Sequence, residues 1–185
     1  MPENTPSRRG ALTWFGLATA IGGGVDLWTK EIAVDALKVL PGASQWVIEP
    51  WLEWSLSYNR GTAFSLVRDL GAARWFFGVM ALLVVFMLFW MVLRGSGDKL
   101  EALALGMLAG GAIGNGVDRV FRELANGGTG VVDFIKVNYP WGGSWPTFNI
   151  ADALLVVGVA LLIIKWLQVA RATPTQPDVL PVPPK

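Results

Sequence analysis

The sequence predicts a membrane α-helical fold: four transmembrane helices, with a small extramembrane β-sheet or amphipathic segment between helices 1 and 2. Three observations predict it. Of 185 residues, 53% are hydrophobic and 16% charged, a balance foreign to average soluble domains. The apolar residues gather into long runs, each on the scale of the ~30 Å hydrocarbon core. Ten tryptophans are many for this length, and Trp favours membrane–water interfaces.

The elements follow in order. Residues 1–10 (MPENTPSRRG) are polar and form an N-terminal tail, with Arg8 and Arg9 beside the first apolar run. Residues 11–28 form the first span. A basic flank, an apolar run and small residues also suit a cleaved signal peptide. Asp26 and Lys30 follow at once, however, and no A-x-A site is clear. Residues 31–70 are mixed. The stretch "WVIEPWLEWSLSYNRGTAFSLV" is rich in aromatic and β-branched residues and broken by Pro50 and Gly61, so the region reads as short strands and a turn, with room for a small amphipathic helix. Residues 72–93 are the most apolar run, with Arg74 as their one charge. Residues 94–99 make a polar turn, 100–120 a Gly-rich third span, 121–147 a loop, and 149–167 the fourth span. The membrane domain thus covers 11–171, and the Pro-rich residues 172–185 form a disordered tail.

An even number of spans puts both termini on one side. With the ends inside, the inner positives Arg8, Arg9, Arg94, Lys99, Lys165, Arg171 and Lys185 are matched in number by the outer segments, which include Lys30, Lys38, Arg60, Arg68 and Lys136. What favours cytoplasmic termini under the positive-inside rule is that the inner positives sit close to span ends. The net charge of +1 gives no basic field for nucleic acid.

The chain has no histidine and no cysteine. That removes Ser-His-Asp and Cys-His catalysis, HExxH zinc sites and disulfide frameworks together. Ionisable groups inside spans cost a few kcal/mol each on insertion scales, yet here they cluster. Asp26 and Lys30 lie four apart, on one face if the first helix continues. Asn115, Asp118 and Arg119 share a face in "GGAIGNGVDR". Asn149 and Asp152 lie three apart in "FNIAD", and Asp133 sits in "VVDF". All fall near the outer ends of their spans, in one stratum. A conduction path needs polar groups at several depths; a single layer suits a reaction at the membrane surface.

Two carboxylates held together do not both ionise easily, so one keeps a proton at moderate pH. The ionised one takes a proton from water and the other hydrogen-bonds to a scissile carbonyl. Asp133 and Asp152 are the pair that suits this chemistry. Asp118 beside Arg119, and Asp26 beside Lys30, suit structural ion pairs. Gly110 and Gly114 have small-xxx-small spacing, which serves close helix packing. Blander readings exist for both acids: Asp133 as a loop acid or cap, Asp152 as a complement to the helix dipole. Two rivals stand beside the aspartic reading. One is a Ser/Lys peptidase using Ser57, Ser65 or Ser144 with Lys30 or Lys136, which requires burial to depress the lysine to near neutrality so that its amine is unprotonated. The other is a small transporter or membrane scaffold.

Four stretches resemble lipoprotein signal peptidase (signal peptidase II): "YNRGTAFS" (58–65), "GGAIGNGVDR" (110–119), "VVDF" (131–134) and "FNIAD" (148–152). "DLWTK" (26–30) is similar to a weaker fifth motif, with Leu27 where the family more often has Gln. The resemblance runs from about residue 11 to 168 in the family's order; the Pro-rich tail lies outside it. It implies an aspartic endopeptidase of the bacterial inner membrane, with cytoplasmic termini and an active site near the outer leaflet; a monomer is assumed. The substrates implied are prolipoproteins whose cysteine bears diacylglycerol, cut just before that cysteine among membrane lipids. The catalytic aspartates would be Asp133 and Asp152. Asn59, Asn115, Asp118, Arg119, Asn149, Asp26 and Lys30 would support them, with no metal or cofactor. Residues 46–66 would form a small sheet cradling the substrate.

Overall fold

Four long helices and a small sheet make up the computed structural model, which describes residues 7–61, 73–125 and 127–172. The helices are α1 (Arg8–Leu37), α2 (Ala73–Arg94), α3 (Lys99–Phe121) and α4 (Ile150–Ala172). Three of them, α2, α3 and α4, are long and apolar enough to cross a membrane by length and composition. Helix α1 is the longest, at 30 residues, but carries Asp26, Lys30, Glu31 and Asp35. It also runs past the expected end of the first span at residue 28: residues 29–37 continue the helix. The reason is local, since "TKEIAVDAL" has no Gly or Pro to stop it.

The outer faces invert the soluble pattern. Leu82 on α2 and Val156 on α4 are each 70% exposed, and Phe86 and Ile163 lie open beside them. Apolar surface on this scale marks a face made for lipid or a partner.

Helix α3 lies at the centre, and its glycines explain how. A methyl group at Gly106 would lie 2.5 Å from the Phe15 carbonyl oxygen of α1, and one at Gly110 would lie 3.0 Å from Gly23 N. At Gly114 it would come within 2.2 Å of Asp26 Oδ2. These three positions, four residues apart, form one stripe along which α1 and α3 meet backbone to backbone. This is the packing expected of Gly110 and Gly114. Beside the stripe, Ala11, Phe15, Leu88, Val92, Ala102, Leu105 and Ala109 fill the core between α1, α2 and α3. At one end Lys165 of α4 reaches Asp98 (2.7 Å) and Glu101 (2.8 Å) at the start of α3.

The sheet has antiparallel order β1-β2-β3, with β1 Ser44–Ile48, β2 Leu52–Asn59 and β3 Val131–Val137. A hairpin between the first two helices was expected; its third strand was not, because 121–147 read as a loop. "VVDFIKV" is a β-branched run whose first four residues are all buried, and so lacks the alternation that marks a half-buried strand. The register sets Ser57 opposite Asp133 and Asn59 opposite Val131. Val132 and Phe134 pack on Ala33 and Leu37 of α1, which holds the sheet against the helical bundle. On its other edge β3 bonds Phe148: the Ile135 N–H donates to the Phe148 carbonyl at 2.8 Å, and the Phe148 N–H donates back at 3.0 Å. That exchange delivers Asn149 and the start of α4 to Asp133. The expected tail at 172–185 lies outside the described residues beyond Ala172.

Gly106→Leu is expected to abolish folding in detergent, because the clashing atom is backbone and overpacking typically costs ~1–3 kcal/mol or more. Gly16→Leu on the same bundle, where nothing lies within 4 Å, should leave the thermal unfolding midpoint nearly unchanged.

Candidate active site

The polar stratum begins with a buried ammonium group. Helix α1 continues through residue 37, so Asp26 and Lys30 do share a face, and Lys30 Nζ lies 2.7 Å from Asp26 Oδ2. Across the glycine stripe it also reaches Asp118 Oδ2 at 3.2 Å and donates to Asn115 Oδ1 at 2.9 Å. Two carboxylates and one amide oxygen thus surround the ammonium group. Lys30 and Asp26 are wholly buried and Asp118 is 1% exposed. Each carboxylate then holds a further element. Asp26 Oδ1 accepts the Ala151 N–H of α4 at 2.8 Å. Asp118 Oδ2 accepts the Val132 N–H of β3 at 3.0 Å.

A second layer lies on this cluster. Asn149 immediately precedes α4. Its Oδ1 accepts the Asp152 N–H at 3.0 Å, while Asp152 Oδ2 accepts the Asn149 N–H at 3.2 Å. This is the reciprocal pattern of a capping box, with Asn and Asp in the two roles. Asp152 Oδ1 accepts from Asn115 Nδ2 at 2.9 Å. The Asn149 amide, fully buried, also donates from Nδ2 to Asp133 Oδ1 at 2.8 Å, with Val132 O at 3.1 Å and Asn115 Oδ1 at 3.0 Å. One asparagine therefore touches both aspartates, which stand on different elements.

Asp133 is 4% exposed. Burial pushes its carboxyl up to about 6, and the Asp152 carboxylate adds to the rise; hydrogen bonds from Asn59 and Asn149 and the charge of Lys30 oppose it. Asn59 also accepts the Gly61 N–H on Oδ1 at 2.9 Å. Gly61 has φ +70°, and a side chain there would meet Arg119 Nη1 at 3.0 Å, so this tight turn needs glycine.

The nine residues singled out in the sequence thus surround one site, but two relations differ from expectation. Asp118 does not pair with its neighbour Arg119. It pairs with Lys30 and with Arg122, whose Nε donates to Asp118 Oδ1 at 2.7 Å. Adjacent helical residues point about 100° apart, whereas i and i+4 share a face. Arg119 instead lies over the Phe77 ring, 4.7 Å from its centroid, and its charge faces Asp133, Asp152 and Asp118. The second difference is the seat of Asp133, which is a buried strand and not a loop. Arg122, and its partner Glu31 at 2.6 Å, were not foreseen, although the spacing from Asp118 carried the signal. Ser65 and the second half of the "YNRGTAFS" motif lie outside the described residues. Both lysines considered as bases are engaged: Lys30 as above, Lys136 with Glu53 at 2.9 Å across the sheet.

Comparison with known proteins gives the family. The model of the Signal peptidase (SPase) II family matches residues 18–168. A lipoprotein signal peptidase of Ectopseudomonas mendocina (strain ymp) is 39% identical over 168 residues, 89% of this chain and 92% of that protein. One from Polynucleobacter necessarius subsp. necessarius (strain STIR1) is 44% identical over 116 residues, 62% of this chain and 66% of that protein. A solved bacterial membrane enzyme, obtained by the in meso method at 1.9 Å resolution, superposes with a TM-score of 0.67 at 30% identity, over 83% of this chain and 92% of that one. The match runs through every helix and strand that builds the site, and the chain belongs to the signal peptidase II family.

Proposed function

We propose that this protein is an aspartic endopeptidase that removes the signal peptide from prolipoproteins, cutting just before a cysteine that bears diacylglycerol. The observation that carries the reading is the buried bridge from Asp133 through Asn149 to Asp152. Two carboxyls on a shared hydrogen-bonding partner, in a site without histidine or cysteine, form an acid–base pair that needs no metal.

The two environments divide the roles. Asp133, buried and facing another acid, holds the shared proton. Asp152 sits in the first turn of α4, where backbone N–H groups face an anion, and acts as the base. It takes a proton from water as the water oxygen bonds to the scissile carbonyl carbon, while Asp133 protonates the carbonyl oxygen. Collapse of that tetrahedral centre breaks the C–N bond: the proton on Asp152 passes to the leaving amine, and one hydroxyl of the centre returns its proton to Asp133, restoring both acids. Asn59, Asn115 and Asn149 hold the carboxyls in place. Arg119 supplies a positive charge facing the site. Asp26, Lys30 and Asp118 form the base beneath it.

In this reading α1 is the fourth crossing, the termini are cytoplasmic, and the site lies near the outer leaflet of the bacterial inner membrane. A monomer suffices, since one chain supplies every group named. The sheet and the loop bearing Trp141 and Trp145, exposed by 81% and 57%, then lie at headgroup level, where a lipidated cysteine arrives.

Asp133→Asn and Asp152→Asn should each lower kcat on a diacylglyceryl-modified substrate by roughly 10²–10⁴-fold while the purified protein stays folded. Full activity in either would remove the mechanism. Ser57→Ala and Ser144→Ala should retain cleavage; loss at either alone would favour a serine peptidase. The pH profile is a separate test. A carboxyl raised to about 6 keeps its proton up to that pH and loses it above, leaving both acids ionised. The alkaline limb of kcat/KM, which reports the free enzyme, should therefore fall near pH 6, and a limb set only by a lysine would lie well above it.

A further inference from the structure

The end of α3 carries an arginine to which the proposed chemistry gives no part. Arg122 closes the helix, its N–H donating to the Asp118 carbonyl at 2.9 Å. Its side chain is 17% exposed and turns back along the helix. Nε meets Asp118 Oδ1 at 2.7 Å, and Nη2 meets Glu31 Oε1 of α1 at 2.6 Å. Glu31 is open at 61%. A relay therefore runs from the rim of the bundle inward: Glu31, Arg122, Asp118, and from Asp118 Oδ2 to the Val132 N–H, one residue before Asp133.

We propose that Arg122 is a positioning residue for the reaction: it clamps Asp118, thereby fixes strand β3 at Val132, and balances the charges buried beneath the two aspartates. The inference rests on the aspartic reading of the site.

The balance follows from a count of charges. Asp26 and Asp118 bring two negatives to Lys30, which brings one positive. Arg122 supplies the second positive through Asp118 Oδ1. Glu31, 61% exposed, lies outside this buried set; without Arg122, the buried cluster next to Asp133 carries a net negative charge, and a buried carboxylate oxygen loses its partner. Both faults act on Asp133. A freed Asp118 no longer fixes the Val132 N–H, and an angstrom of misplacement at a reacting group can cost about a hundredfold. An added negative charge disfavours ionisation of a nearby carboxyl. The other charges around Asp133 come from Asp152 on α4, Lys30 on α1 and Arg119 on α3; on β2 it has the neutral Asn59 and Ser57. Arg119 adjoins Arg122 in the last turns but points to the Phe77 ring, so it does not replace the lost contact.

The test uses the full chain in phospholipid bilayers, cleaving a diacylglyceryl-modified peptide across a pH series. Arg122→Gln should lower kcat by about tenfold or more, with KM little changed. It should also move the alkaline limb to higher pH by about half a unit to one unit, because Asp133 then holds its proton longer. Arg122→Lys, which keeps the charge, should return the limb to its original pH while recovering only part of kcat. An unmoved limb in Arg122→Gln overturns the proposal even if kcat falls, since loosened structure alone does not retune a proton. Should Arg122→Gln not fold, Glu31→Gln decides. Removing that negative charge should shift the limb to lower pH at low ionic strength, and screening by salt should abolish the shift; no shift at low salt overturns the relay. If Asp133→Asn or Asp152→Asn remains fully active, the aspartic reading itself fails. If both are inactive and the limb does not respond to Arg122 or Glu31, only the present inference fails.

Discussion

A fully buried ammonium group fixes the rest of this molecule. Lys30 is 0% exposed, and an isolated charge taken out of water loses several kcal/mol of solvation even after relaxation. It is stable only if oxygens from the protein replace that water. Asp26, Asp118 and Asn115 do so. Asp118 and Asn115 belong to α3, so α1 and α3 have one permitted register, in which their polar residues align. The carboxylates that Lys30 attracts then pass the constraint on, Asp26 to the first turn of α4 and Asp118 to β3. The two elements that carry Asp152 and Asp133 are thus tied to the same nitrogen.

Such an arrangement requires the helices to be close, and α3 meets that need by having almost no side chains where α1 lies. The positions of Gly106, Gly110 and Gly114 leave only van der Waals distance to the opposing backbone or to Asp26. Apolar association has little driving force between helices in lipid, so close packing and hydrogen bonds must supply the specificity. The glycine stripe supplies the first and leads directly to the polar cluster that supplies the second. Rigidity at the site follows: Asn149 is held by a cap, a strand carbonyl and two side chains, which leaves its amide little freedom to turn away from the aspartates.

Much of this was legible in the residues, for identifiable reasons. A 3.6-residue period places Asp26 with Lys30, and Asn115 with Asp118, on shared faces, and an acid in an apolar run is conspicuous. The glycine spacing likewise announces a packing face. Other features were hidden. The seat of Asp133 was missed because "VVDF" is buried on both faces and has no alternation to betray a strand. The pairing of Asp118 was misread because adjacency in sequence stood in for adjacency on a helix; Arg122, one turn on, occupies the face that Arg119 leaves. The joining of Asp133 to Asp152 depends on the exchange between Ile135 and Phe148, a long-range backbone contact with no local signature.

The weaker apolarity of α1 has the same origin as the site. A helix that faces lipid on most sides can be strongly apolar along most of its length, as α2 and α4 are. Helix α1 must bring Asp26 and Lys30 inward and present Glu31 at the rim, and each of these lowers its average hydropathy without placing an unpaired charge against lipid. On the proposed reading of α1 as the fourth crossing, a span that contributes a buried ion pair looks less like a span by composition than its neighbours do. Its side chains resolve the conflict: Trp14, Leu17, Ile21 and Trp28 point outward and are exposed, while Asp26 and Lys30 are wholly enclosed. The polar groups that make α1 a poor candidate by composition are the ones that anchor it in the bundle.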